Sequence, residues 1–98
     1  MEILSRRYTK CPDVVFRQIV GEFVLVPIRH DVADLEAVYT LRGVGARIWE
    51  LLDGERDGHA ILGLIMQEYN ISLDVAQSDL VEFLGELEAV RGIVLVEA

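Results

Sequence analysis

Between Leu35 and Gly54 the apolar residues change period with almost no chain between the two patterns. Leu35 to Leu41 alternates, with Ala37, Tyr39 and Leu41 on one face and Glu36, Val38 and Thr40 on the other, which is the two-residue period of a strand. From about Val44 to Asp53 the apolar residues Val44, Ile48, Leu51 and Leu52 fall on one stripe at helical spacing. Gly54 follows as the expected left-handed cap. A strand end thus hands over directly to a short amphipathic helix stopped by glycine, so the chain must place sheet before helix.

The flanks extend that order in both directions. Val14 to Val20 is rich in β-branched and aromatic side chains and reads as a strand. Gly21-Glu22 is the expected two-residue turn, with glycine first as a type II′ hairpin prefers. Phe23 to Arg29 is a second strand, in which Pro27 must face away from a paired neighbour or lie at a bulge. Residues 1–13 are polar, end at Pro12-Asp13 and read as an N-terminal arm, and His30 to Asp34 reads as a loop. Three strands with short links make an antiparallel meander, which leaves one side of an outer strand unpaired.

Downstream, Asp57 is a natural N-cap for a second helix over about Gly58 to Tyr69. That helix is expected to bury Ile61, Leu62, Ile65 and Tyr69 and to end in a left-handed turn at Asn70. Ser72 then caps a third helix, Leu73 to Arg91, with an apolar stripe of Ala76, Leu80, Phe83, Leu84, Leu87 and Val90 closed by Gly92. Ile93 to Val96 is an apolar tail suited to a final strand or to docking on the helices. The expected fold class is α+β: a three-stranded antiparallel sheet followed by three helices, in one domain over residues 1–98.

Charge narrows the partners. Residues 1–42 carry six basic and six acidic side chains, whereas 43–98 carry three basic against eleven acidic and so supply the whole net −8. An acidic helical half repels phosphate backbones, because nucleic-acid affinity comes from lysine and arginine displacing counterions. It suits a basic partner, or else it keeps a chain that is 52% apolar in solution. The N-terminal residues lack the apolar run of a signal peptide, and no apolar stretch approaches the ~20 residues that span a bilayer. The expected location is the cytoplasm, away from membranes.

The residues that could carry catalysis are sparse. Cys11 is alone, and His30 and His59 lie far from it in sequence, so no zinc spacing and no nucleophile–base pair can be read. Glu82, Glu86 and Glu88 read as the wet face of the third helix. Gly43-Val44-Gly45-Ala46 is too short for a dinucleotide fingerprint and suits tight strand-to-helix packing. Trp49 is either core or a partner contact. What remains is a groove: if the third strand is an open edge beside the third helix, an extended peptide could add to it as a further strand. The alternative is that the Ile93–Val96 tail covers that edge.

Tyr39-Thr40-Leu41, Gly45, Ile48-Trp49 and Leu52-Asp53-Gly54, with the looser Ile61, Ile65, Tyr69 and Gly92-Ile93-Val94, resemble the signature of the PqqD family over about Val14 to Val94. The chain departs from it in Arg42, where the family usually has asparagine, and in Asp57, where it usually has threonine. The resemblance implies a winged helix-turn-helix-like fold. It also implies a non-enzymatic, cofactor-free recognition element that holds the leader of a ribosomally made precursor peptide and presents it to a modifying enzyme, often a radical S-adenosylmethionine enzyme. In that family the leader lies along the third strand and against the third helix. Carried onto this chain, Ala37, Val38, Tyr39, Thr40 and Leu41 form one wall of the groove. Asp79, Leu80, Phe83, Leu84, Glu86 and Leu87 form the other, and the acidic members favour a leader bearing lysine or arginine. The rival readings are a winged-helix DNA-binding regulator and an adaptor that docks on an enzyme without binding peptide. The oligomeric state is left open.

Overall fold

The computed structural model describes residues 3–27 and 39–96. A 3-10 turn at Ile3–Ser5 leads into β1 (Arg7–Lys10), β2 (Val14–Ile19), β3 (Glu22–Pro27), β4 (Tyr39–Arg42), α1 (Gly43–Leu51), β5 (Asp53–Asp57), α2 (Gly58–Tyr69), α3 (Leu73–Ala89) and β6 (Ile93–Leu95). The strands form two three-stranded antiparallel sheets, ordered β2-β3-β4 and β5-β1-β6. The first is the expected meander. The expected loop over His30–Asp34 lies outside the described residues.

The hairpin turn sits one residue earlier than expected. Ile19 pairs with Glu22, so the loop is Val20-Gly21, with φ of 34° and 76°. Two positive φ values make it a type I′ loop, whose twist matches that of the flanking strands. Its closing turn bond makes Ile19–Glu22 a hydrogen-bonded pair, and pairing then alternates along the ladder. Pro27, opposite Val14, falls on a pair whose backbone groups point away from β2, so its missing N–H costs that ladder nothing.

The second sheet is the larger departure. Residues 1–13 are not only an arm, because Arg7–Lys10 is the central strand of β5-β1-β6, with Tyr8 facing Leu95 and Arg7 facing Asp57. Polar sequence concealed both β1 and β5, whose strand geometry comes from being paired. Gly54 has the expected positive φ (84°) but serves a turn inside β5. There Asp53 Oδ1 accepts from the amides of Glu55 (2.9 Å) and Arg56 (3.2 Å). A Cβ on Gly54 would come within 3.3 Å of the Thr9 side chain. Helix α1 instead stops at Leu51, with Leu52 as its C-cap.

Helix α2 spans the expected residues. The Asp57 carboxylate accepts from Ala60 N (2.9 Å), and Asn70 adopts the left-handed conformation. Gly58 opens it against the N-terminal turn, where a Cβ would meet Leu4 Cα at 2.7 Å. Tyr69 is exposed rather than buried: helical spacing puts it on the stripe of Ile61, Leu62 and Ile65, but it is the last residue of α2, at the helix's exposed end. Helix α3 ends at Ala89, and Arg91 rather than Gly92 takes the positive φ. Gly92 N then bonds Leu87 O (2.8 Å), the long reverse bond that closes a helix end.

One core joins the two sheets and the helices, centred on Trp49, Tyr8, Leu25, Leu52, Ile61, Leu80, Leu84 and Ile93. Trp49 is fully buried, edge-on to Phe16 at 5.4 Å, and its Nε1 has no hydrogen-bond partner among the described residues. It is core and not a surface contact. Lys10, from β1, lays its ammonium 5.2 Å from the Trp49 ring and donates to Leu52 O (3.0 Å), tying the second sheet to α1. Burial holds its pKa below the ordinary lysine value, against the pull of Asp53 and Glu50.

Candidate functional site

Among the described residues β4 is an outer strand of its sheet, paired with β3 on one side only. The tail does not cover its other side, because Ile93–Leu95 pairs with β1 in the second sheet. Continuing the hairpin's alternation across β3, the Phe23–Leu41 and Leu25–Tyr39 pairs bond inward. Thr40 therefore turns its N–H and C=O to the free edge. Its side chain is exposed, whereas Leu41 is buried and Tyr39 half-buried against the core.

The strand ends in the head of α1. Arg42 is the α1 N-cap, extended at φ −135°, with no side-chain bond to the helix. Instead its Nε contacts Glu22 Oε2 across the sheet at 3.0 Å, an exposed pair of little energetic consequence. Gly43 follows at φ 55°, which lets the chain turn from strand to helix without steric cost. Phe83 of α3 packs on the next turn, its ring 3.5 Å from where a Gly45 Cβ would stand. This contact sets α3 against the head of α1, a helix-to-helix contact rather than the strand-to-helix packing expected of the glycine-containing stretch.

The six α3 residues singled out from sequence divide by burial. Leu80, Leu84 and Leu87 are 1%, 0% and 4% exposed and anchor the helix to the body. Asp79 and Glu86 are exposed, four residues before and three after half-buried Phe83, so the three share one flank. Val75, half exposed and four residues before Asp79, extends that flank. Sequence reasoning passed over it because it lies off the buried stripe, although its spacing from Phe83 was the available signal. Ala37 and Val38 lie outside the described residues.

Electrostatically the helical wall is of one sign. Helices α2 and α3 contain no lysine or arginine, and Asp74, Asp79, Glu82, Glu86 and Glu88 are exposed along α3. Arg47 is the nearest guanidinium on α1, but it is committed to Glu68 (2.8 and 2.9 Å) and Glu50 (3.1 Å). The bonds from Arg47 draw the Glu68 carboxyl below its usual range. Among the described residues no group of three or more His, Cys, Asp and Glu is placed to hold a metal, and no helix is long and apolar enough to cross a membrane.

The model of the family described as Coenzyme PQQ synthesis protein D (PqqD) matches residues 22–93. A solved structure described as TbiB1 in complex with the TbiA(beta) leader peptide is similar throughout. It has a TM-score of 0.77 and 26% sequence identity, covering 92% of this chain and 99% of that one. No curated protein matches.

Proposed function

This chain belongs to the PqqD family, and from that premise we propose that it binds the leader segment of a ribosomally made precursor peptide by strand addition. The observation that carries the reading is that β4 is an outer strand among the described residues, with Phe83 of α3 packed at Gly45 just beyond its end, in a chain similar along its length to a protein solved with a leader peptide. An added strand would bond the outward N–H and C=O of Thr40. Its side chains would meet Tyr39, Phe83 and Val75, with Leu80, Leu84 and Leu87 behind as floor. Asp79 and Glu86 would favour a leader with lysine or arginine at the facing positions.

The role is that of a binding module without its own chemistry, presenting the leader to a separate modifying enzyme in the cytoplasm. A radical S-adenosylmethionine enzyme is the class the resemblance suggests. A duplex-DNA reader is disfavoured by α2 and α3, which carry no lysine or arginine to offer phosphates.

An amide NMR titration with leader peptides encoded beside this gene tests the reading. Shifts confined to residues 36–42 and the 75–86 flank, saturating at micromolar peptide, are expected. Silence with every such peptide would sink it in favour of the enzyme-docking adaptor.

A further inference from the structure

The β2-β3-β4 meander turns one face to the core, where Val14, Phe23, Leu25 and Leu41 are buried. The strand period then sends Val15, Arg17 and Ile19 of β2, and Glu22, Val24 and Val26 of β3, to the outer face. An antiparallel sheet with one solvated face ordinarily alternates apolar inward and polar outward. Here four of those six outward positions are valine or isoleucine. Val15 and Val26 are directly paired, and Val15, Ile19 and Val26 are 53%, 50% and 36% exposed. Strand propensity asks only for a β-branched residue, which threonine supplies at exposed Thr40 on the same face. The outward valines and isoleucine add an apolar surface that propensity alone does not require, the mark of a face that a partner covers.

We propose that this outer face is where the modifying enzyme docks, covering the sheet and the bound leader together, an inference that rests on the leader-binding reading above. Continuity is the first argument for that occupant. A strand added at β4 prolongs the sheet, so every second leader side chain would emerge on the outer face beside Thr40 and Arg42. A protein seated there meets the leader and its carrier on one surface, as an enzyme that takes over the leader must. Local charge is the second argument. Arg17 lies between Val15 and Ile19 and opposite Val24, and it has no ion pair among the described residues. Arg42, at the corner of the face, already contacts Glu22 at 3.0 Å. The face thus presents one unpaired guanidinium in an apolar setting. Its complement is an apolar surface that brings a carboxylate to Arg17.

Other occupants match the face less well. A second copy seated face to face would bring another Arg17 surface and no carboxylate for either guanidinium. An anionic lipid surface is held by clusters of lysine and arginine, whereas this face offers one unpaired arginine on a chain of net −8.

Calorimetric titration of the full chain with the purified modifying enzyme encoded beside this gene, in the presence and absence of leader peptide, tests the proposal. Bound leader should raise the enzyme's affinity for the wild-type chain. Arg17→Glu should weaken enzyme binding at least about tenfold, and Val15→Gln, which serves if the first variant fails to fold, several-fold. Both should keep the wild-type leader affinity and Tm, because their side chains point away from the core and the leader groove. An enzyme that binds both variants as it binds wild type overturns the proposal, as does one that ignores a chain with leader bound. Arg17-dependent self-association in sedimentation, or Arg17-dependent binding to phosphatidylserine vesicles, would give the face to another occupant and overturn it equally. Failure of the leader reading looks different: the wild-type chain then binds no leader at all, while loss of enzyme binding in Arg17→Glu would still assign the face to enzyme docking.

Discussion

Val20 is a β-branched residue held at φ 34° with its side chain 96% exposed. It therefore bears the strain of the left-handed region and recovers nothing by packing. Asparagine tolerates that conformation and is the preferred partner of glycine in a type I′ loop. Val20→Asn should stabilise the chain by about 1 kcal/mol, raising Tm by roughly 4–8 °C, as read by thermal melts. Lys10 offers a second measurement at this scale, because it is the sole lysine of the chain and its side-chain NMR signal is unambiguous. Its titration midpoint should lie below the ordinary lysine value of about 10.4, because burial disfavours the charged form. The folded state then sheds its proton before the unfolded state does. Between the depressed midpoint and the ordinary one, the unfolded chain holds more protons, so stability rises with pH. Lys10→Met should flatten that alkaline rise, and a midpoint at the ordinary value would refute the packing described for Lys10, Trp49 and Leu52.

Among the elements, β4 carries the functional argument and allows a selective test. Thr40 bonds outward, so Thr40→Pro deletes an edge donor while sparing the β3–β4 ladder, the placement in which strands accept proline. Leader affinity should fall at least about tenfold, a loss of about 1.4 kcal/mol, with Tm nearly unchanged, as calorimetric titration and melting would register. Elements of this kind were legible because their local chemistry agrees with their tertiary role. Helix α2 could be bounded to the residue by Asp57 and Asn70, and β2 and β3 could be located by their β-branched runs, though with the turn between them one residue off. The elements that were missed have no local signal. Asp-Gly-Glu-Arg-Asp of β5 reads as a turn, and only pairing with β1 holds it extended. The candidate site was half legible for a similar reason. Periodicity identifies the buried stripe of α3, Leu80, Leu84 and Leu87, whereas the proposed groove would be walled by the neighbouring flank, of which Asp79 and Phe83 were named from sequence and Val75 was not.

For the molecule as a whole, the decisive feature is that residues 3–10 are structural. An N-terminal arm could be removed without consequence, and the sequence reads as one because its polar residues mask two core side chains. Tyr8 is 1% exposed, with its hydroxyl within 3.3 Å of both Glu88 Oε1 and Arg6 Nη1, and Leu4 packs under Gly58. β1 also supplies the carbonyl of Arg7 to Val96 N (2.8 Å), and among the described residues it is the strand on which both β5 and β6 pair. Deleting residues 1–10 would remove both anchors, at about 1.5–3 kcal/mol for each large apolar side chain, and would leave two strands without a partner. Set against a total stability of about 5–15 kcal/mol for a domain, that loss is enough to unfold much of the population. The truncated chain should show a broad or absent melting transition and lose dispersed amide signals from β5, β6 and α3. A truncated chain that melts like the full one would show that the β5-β1-β6 sheet contributes little to the fold, and that the meander and three helices suffice on their own.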